Sequence, residues 1–222
     1  MSTITVIAAH PDDEVLGCGG TMARHAAAGD EVHAVFLADG VTSRVSSEAD
    51  MQARMRAANN AARVLGAQPP VFFGLPDNRL DSLDLLDVVQ KLERLLAEIR
   101  PEIIYTHSAT DLNIDHRITH QAVLTACRPQ PGSTVRTIYA FEVLSSTHWA
   151  SHEMVPAFQP SRFVDISAHL QQKLEALACY AEEMRPYPHA RSAEAVEALA
   201  RHRGATVGLE AAEAFSVIRE ID

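Results

Sequence analysis

Residues 4–14 read Ile-Thr-Val-Ile-Ala-Ala-His-Pro-Asp-Asp-Glu. Ile4 to Ala9 is short, uncharged and rich in β-branched residues, the pattern of a parallel strand buried on both faces. His10-Pro11-Asp12-Asp13-Glu14 follows at once and packs one imidazole and three carboxylates into five positions. Val15 to Ala28 is then rich in Ala and closes on Gly29-Asp30, and a Gly just past such a segment signals a helix C-cap. A buried strand, a polar loop and a helix in that order open a βαβ unit.

The pattern repeats outward. Glu31–Ala38, Pro70–Gly74, Glu102–Thr106, Arg136–Val143 and Ser161–Ile166 read as further strands. Helices are expected over Glu48–Leu65, Ser82–Arg100, from Asp115 or Ile118 to Cys127, over His169–Met184 and over Ala193–Arg203. The stripe Leu83, Leu86, Val89, Leu92, Leu95, Leu96 and Ile99 has helical spacing and reads as core. Strands alternating with helices predict an α/β fold: a Rossmann-like three-layer sandwich on a mainly parallel sheet, forming a single domain over residues 1–222. Ligands in such sheets sit beyond the carboxyl ends of the strands, which directs attention to the loops starting at His10, Asp39, Pro76 and His107.

Composition narrows the function. With 47% apolar and 22% charged residues the chain is neither disordered nor a coiled coil. Its formal charge of −10 disfavours nucleic acid or an anionic membrane as partner, since both repel it. Cys18, Cys127 and Cys179 lie far apart and make no CxxC pair, so they read as small buried residues in a reducing compartment. The first residues show no signal-peptide pattern and no stretch of ~20 apolar residues, giving the expectation of a cytoplasmic protein. Eleven His residues raise the prospect of metal or acid/base chemistry.

The loop at His10 carries that chemistry. Carboxylates at such density repel one another unless a divalent cation relieves them, and His plus carboxylate is the ligand mix of a catalytic zinc. A second cluster, His107 to His120, follows the fourth strand and contains Asp111, Asp115, His116 and His120. Each cluster lies just past a parallel strand, so the two converge at one sheet edge. The bland alternative, an acidic helix start favoured by the helix dipole, leaves His10 and the second cluster unexplained. Gly17, Gly19 and Gly20 fit neither a P-loop nor GxGxxG and read as helix-packing positions. Trp149 and Tyr139, near the fifth strand, could stack on a sugar ring, although most such aromatics are simply packed.

These residues resemble the signature of the LmbE-like (PIG-L) N-deacetylase family. The likeness rests on His10-Pro11-Asp12-Asp13-Glu14 with Gly17, Gly19 and Gly20, and on Asp39-Gly40, Arg44, Leu65-Gly66 and Gly74-Leu75-Pro76-Asp77. Asp115-His116-Arg117, Gly208 and Ala212-Glu213-Ala214-Phe215 extend it to the end of the chain. The resemblance implies a metal-dependent hydrolase that removes the acetyl group from an N-acetylated amino sugar or sugar conjugate. It implies His10, Asp13 and His116 as metal ligands and Asp12 as general base. Zn²⁺ is the expected metal, with Fe²⁺ or Co²⁺ as alternatives for such a donor set. Several relatives have a His three positions before the last ligand; this chain has Asn113. Either Asn113 suffices at the transition state or His107, His189 or Arg44 contributes, with Arg44 and His189 also candidates for substrate contact. Asp115 is then expected to orient a neighbour. The resemblance also raises a homo-oligomer as an expectation. Two other readings stay open: a metallo-amidase or deformylase for a non-sugar N-acyl metabolite, and a non-catalytic Rossmann-like ligand-binding module.

Overall fold

The computed structural model describes residues 1–43, 47–153 and 155–222. The chain opens with β1 (Thr3–Ala8), α1 (Asp13–Ala27), β2 (Glu31–Ala38), α2 (Glu48–Leu65), β3 (Val71–Leu75), α3 (Leu85–Ile99) and β4 (Ile103–His107). It continues through α4 (Ile114–Ala126), β5 (Thr137–Phe141), β6 (Arg162–Asp165), α5 (Leu170–Ala178), α6 (Ala193–Ala205) and β7 (Ala212–Glu220). Among the described residues the strands form one seven-stranded sheet in the order β3-β2-β1-β4-β5-β7-β6. The first five run parallel; β7 pairs antiparallel with both β5 and β6.

The uncharged run in β1 is explained by its position in the middle of the sheet. Ile4, Val6 and Ala8 point into a core beneath α1, α2, α5 and α6, while Ile7 points into the opposite core with α3 and α4. Every one of those side chains is fully buried, which stabilises the fold by roughly 1.5–3 kcal/mol for each large one. The Leu and Val stripe of α3 fills the second core through Val88, Val89, Leu92 and Leu96.

Two departures from the sequence reading stand out. β7 was not foreseen as a strand, although its first four residues were already singled out. Its Glu213 puts a charge on the same strand face as buried Phe215, where an apolar residue is expected. The helix expected over His169–Met184 stops at Ala178, and the chain then turns through Tyr180 and Glu183 toward the sheet edge.

The last strand also mends a break in α1. That helix is kinked at Cys18 (φ −149°, ψ 23°), which leaves backbone groups unpaired in its middle. The Glu213 carboxylate accepts the N–H groups of Gly20 (3.0 Å) and Thr21 (2.7 Å). The Lys173 ammonium, from α5, donates to the carbonyl of Leu16 (2.9 Å) and to Glu213 (2.5 Å). Close packing dictates the glycines here: a Cβ on Gly17 would lie 2.2 Å from the Phe141 ring, and one on Gly20 would lie 2.8 Å from Ile166. The kinked helix thereby presents its first turn, Asp13 and Glu14, at the carboxyl edge of the sheet.

Candidate metal centre

Strand order reverses between β1 and β4, the place where α/β sheets open a crevice. The loop after β1 brings His10, Asp12 and Asp13; the loop after β4 and the first turn of α4 bring Asp111, Asn113, Asp115 and His116. Asn113 makes the local fold of that second segment, because its side-chain oxygen accepts the Asp115 N–H (2.8 Å) and caps α4.

Asp13 lies at the middle of the cluster. Its Oδ2 is 3.1 Å from His10 Nδ1 and 3.1 Å from His116 Nε2. A tetrahedral zinc with bonds of ~2.0–2.1 Å sets its ligand atoms roughly 3.3 Å apart, close to the spacing of Asp13 Oδ2 from each imidazole nitrogen, and the three donors all fall within 4.8 Å of one another. Asp13 Oδ1 is buried without a hydrogen-bond partner, and His116 Nε2, 3.1 Å from Asp13 Oδ2, makes no aligned hydrogen bond. Native interiors rarely leave such atoms unpaired. A cation held by His10, Asp13 and His116 would satisfy them, and the residues fit one.

The far sides of both imidazoles are held by carboxylates. His10 Nε2 meets Asp115 Oδ2 and Asp77 Oδ1, each at 3.1 Å. His116 Nδ1 meets Asp111 Oδ2 at 3.1 Å, and Asp111 is fixed in turn by the hydroxyls of Ser146 (3.0 Å) and Thr147 (2.6 Å). Carboxylates behind histidines orient the rings for a metal. Asp115 also accepts the N–H groups of Asn78 (2.7 Å) and Leu80 (3.0 Å), tying the loop after β3 to α4.

Charge follows the same plan. Burial alone would push the Asp13 carboxyl up, but the imidazoles of His116, His10 and His107 hold it well below the usual carboxylate range. Burial would lower His116 and His10; Asp13 with Asp111 brings His116 up to about 9, and Asp115, Asp13 and Asp77 raise His10. The imidazoles and carboxylates of the cluster thus stabilise one another's charged forms.

Asp12 stands beside them. It is buried, with an unusual backbone (φ 126°) that the carboxylate of Glu14 braces by accepting the Asp12 N–H at 2.9 Å. Glu14 is held by the Tyr180 hydroxyl at 2.5 Å. Asp12 Oδ2 accepts from Arg191 Nη1 at 2.9 Å, whereas Oδ1 has no partner. Burial pushes the Asp12 carboxyl up to about 6 against the pull of Arg191 and Arg54. Asp12, His10, Asp77, Asn113 and Arg191 line one polar cavity of about 60 Å³.

The remaining sequence candidates fall in different places. His107 is buried behind the cluster: its Nε2 accepts the Ala9 N–H (2.8 Å) and its ring stacks on His116 at 3.8 Å. Asn113 reaches the cavity wall, where its amide donates to Asn78 (3.2 Å). His189 lies on the outer rim, its Nδ1 accepting the Arg191 N–H (3.0 Å). Arg44 lies outside the described residues. Sequence reading missed Arg191, Arg54, Glu183 and Tyr180. Arg54 lies on α2 and donates to the Pro11 carbonyl (2.8 Å) and pairs with Glu183. Nothing in their spacing marks them, because they come from helix faces and loops far from His10 in sequence.

Comparison with known proteins agrees with this geometry. The family model PIG-L, described as GlcNAc-PI de-N-acetylase, matches residues 5–127, more than half of the chain and all of the His10 and His116 segments. An Escherichia coli (strain K12) protein described as the uncharacterized deacetylase YaiS is 32% identical over 78% of this chain and 88% of its own. A 1D-myo-inositol 2-acetamido-2-deoxy-alpha-D-glucopyranoside deacetylase from Mycobacteroides abscessus is 26% identical, covering 82% of this chain and 81% of that one. The crystal structure of GalB, the 4-carboxy-2-hydroxymuconate hydratase from Pseudomonas putida KT2440, superposes with a TM-score of 0.79 at 25% identity, covering 100% of this chain and 98% of that one. The sequence match and the convergence of its two motifs on one cluster place the chain in the PIG-L family.

Proposed function

We propose that the protein is a zinc-dependent N-deacetylase acting on an N-acetylated amino sugar or sugar conjugate. The observation that carries this reading is the buried set of His10 Nδ1, Asp13 Oδ2 and His116 Nε2, with Asp12 at its side. The sugar N-deacetylases among its relatives support the substrate class.

His10, Asp13 and His116 would hold the metal. When bound, such an ion polarises the amide carbonyl and lowers the pKa of water. The chain's own residues do the rest. Asp12 Oδ1 is free to take a proton from the attacking water and return it to the leaving amine, the work of a general acid–base group. Arg191 holds Oδ2 and leaves Oδ1 without a hydrogen-bond partner. The same guanidinium borders the cavity where the oxyanion grows, as does the Asn113 amide, and donors fixed in such positions favour the transition state. His107, sealed behind the cluster, supports His116 by stacking.

The hydratase relative sets a rival chemistry, addition of water to a carbon–carbon double bond. One assay separates the readings: release of the acid, acetate or formate, from a panel of N-acetyl sugars, N-acetyl amines and N-formyl amines. Release from the sugars by zinc-loaded protein supports the proposal. Release from non-sugar amines alone moves the assignment to a different amidase. No release from any member, with hydration of an unsaturated dicarboxylate, overturns it.

A further inference from the structure

The cavity beside Asp12 is small. Its volume of about 60 Å³ is well below that of a site for a whole small molecule, and its wall is polar, formed by groups such as Asp77, Asn78 and Arg191. It has room for the acetamido group, with the sugar rings outside it. Outside its lining, next to Arg191 in the chain and hydrogen-bonded to it, His189 begins an aromatic pair. Trp149 is 55% exposed, and its indole meets the His189 ring edge-on at 5.9 Å. Few indoles are left so open, because they offer a large area for burial.

This pair is tied to the catalytic cluster from both sides. Trp149 ends a one-turn helix whose first residues reach inward: Thr147 and the preceding Ser146 hydrogen-bond to Asp111, the partner of His116. His189 accepts the backbone N–H of Arg191, whose side chain donates to Asp12 (2.9 Å) and to the Ser145 hydroxyl (2.8 Å). The two loops are thus stitched to each other and to the site, with the two rings standing outside it.

We propose that Trp149 and His189 form a second carbohydrate subsite, where the C–H face of a ring glycosidically linked to the acetamido sugar stacks on the indole. The inference rests on the deacetylase reading above and narrows its substrate to a glycoside with a further ring. A polar cavity reads hydroxyls, whereas the apolar face of a pyranose needs an aromatic surface, and the indole supplies one with few rotatable bonds to order.

Trp149 is the only tryptophan in the chain, so its emission reports on this subsite alone. The test uses zinc-loaded protein with N-acetylglucosamine and N,N'-diacetylchitobiose. In the Asp12→Asn variant the disaccharide should shift or quench the emission saturably, with saturation confirmed by calorimetry. In the wild type the disaccharide should be preferred in kcat/KM by about tenfold, and Trp149→Ala should collapse the preference through KM. Trp149→Phe, which keeps a flat ring, should restore part of it. Unchanged emission at saturating disaccharide, or a preference that survives Trp149→Ala, overturns the subsite while leaving the deacetylase intact. Failure to release acetate from either sugar overturns the subsite, and if no other N-acetyl sugar of the panel is cleaved it overturns the underlying reading as well.

Discussion

The carboxylate of Glu14 accepts the backbone N–H of Asp12 at 2.9 Å, and it does so at a residue whose φ is 126°. A non-glycine residue held in so sparsely populated a region costs on the order of 1–3 kcal/mol and persists only where its surroundings fix it. Glu14, itself gripped by Tyr180, is that fixture. Replacing Glu14 by Ala should lower kcat by about a hundredfold, the scale of an ~1 Å misplacement of a catalytic group. Glu14→Gln keeps the acceptor and should retain most activity, with Tyr180→Phe between the two. Acetate-release kinetics with metal content measured in parallel check this; a Glu14→Ala enzyme with wild-type kcat contradicts it.

Arg191 pulls the Asp12 carboxyl down while burial pushes it up. Removing the cation by Arg191→Met leaves burial unopposed by its nearest counter-charge, so the Asp12 pKa rises. A base must be deprotonated to act, so the acidic limb of the kcat/KM profile should move to higher pH, and kcat should fall as well. A limb that stays in place would show that Asp12 is not the titrating base.

Asp111 does its work through His116. Asp111→Asn keeps the shape but weakens the hydrogen bond that orients the ring, and should loosen zinc by about 10–100-fold. Competition against a chelating dye measures this. An unchanged affinity would mean that Ser146 orients the imidazole unaided.

Lys173 and Glu213 are each under 5% exposed and close the break in α1 together. Lys173→Met strands a buried carboxylate and the Leu16 carbonyl, and should destabilise the protein by roughly 3–5 kcal/mol in urea titrations. A loss below ~1 kcal/mol, the scale of an exposed pair, would show that the α1 break does not depend on this pair.

Much of this was legible in the sequence, for identifiable reasons. β1 announces itself because burial on both faces removes every charge from it, and the polar loop that follows is short enough to place its residues at the strand's end. The convergence of His10 with His116 follows from the order of parallel strands. Local spacing says nothing, however, about groups delivered by tertiary packing. Arg54 arrives from a helix face, Arg191 from a loop 179 residues beyond Asp12, and Tyr180 from a turn where a longer helix was expected. β7 was hidden by Glu213, a charge whose partners, Lys173 and the kinked helix, are remote in sequence. Asn113 reads as a missing histidine by spacing, yet its evident duty is to cap α4.

The central claim is that His10, Asp13 and His116 hold one metal ion. Its most direct test is elemental mass spectrometry of protein purified without chelator or added metal, beside a His116→Ala control shown to be folded by circular dichroism. About one zinc or iron per chain, lost in the control, is the result expected of a site with three protein ligands. No metal in the wild type, and none taken up when Zn²⁺ is added, would contradict the account.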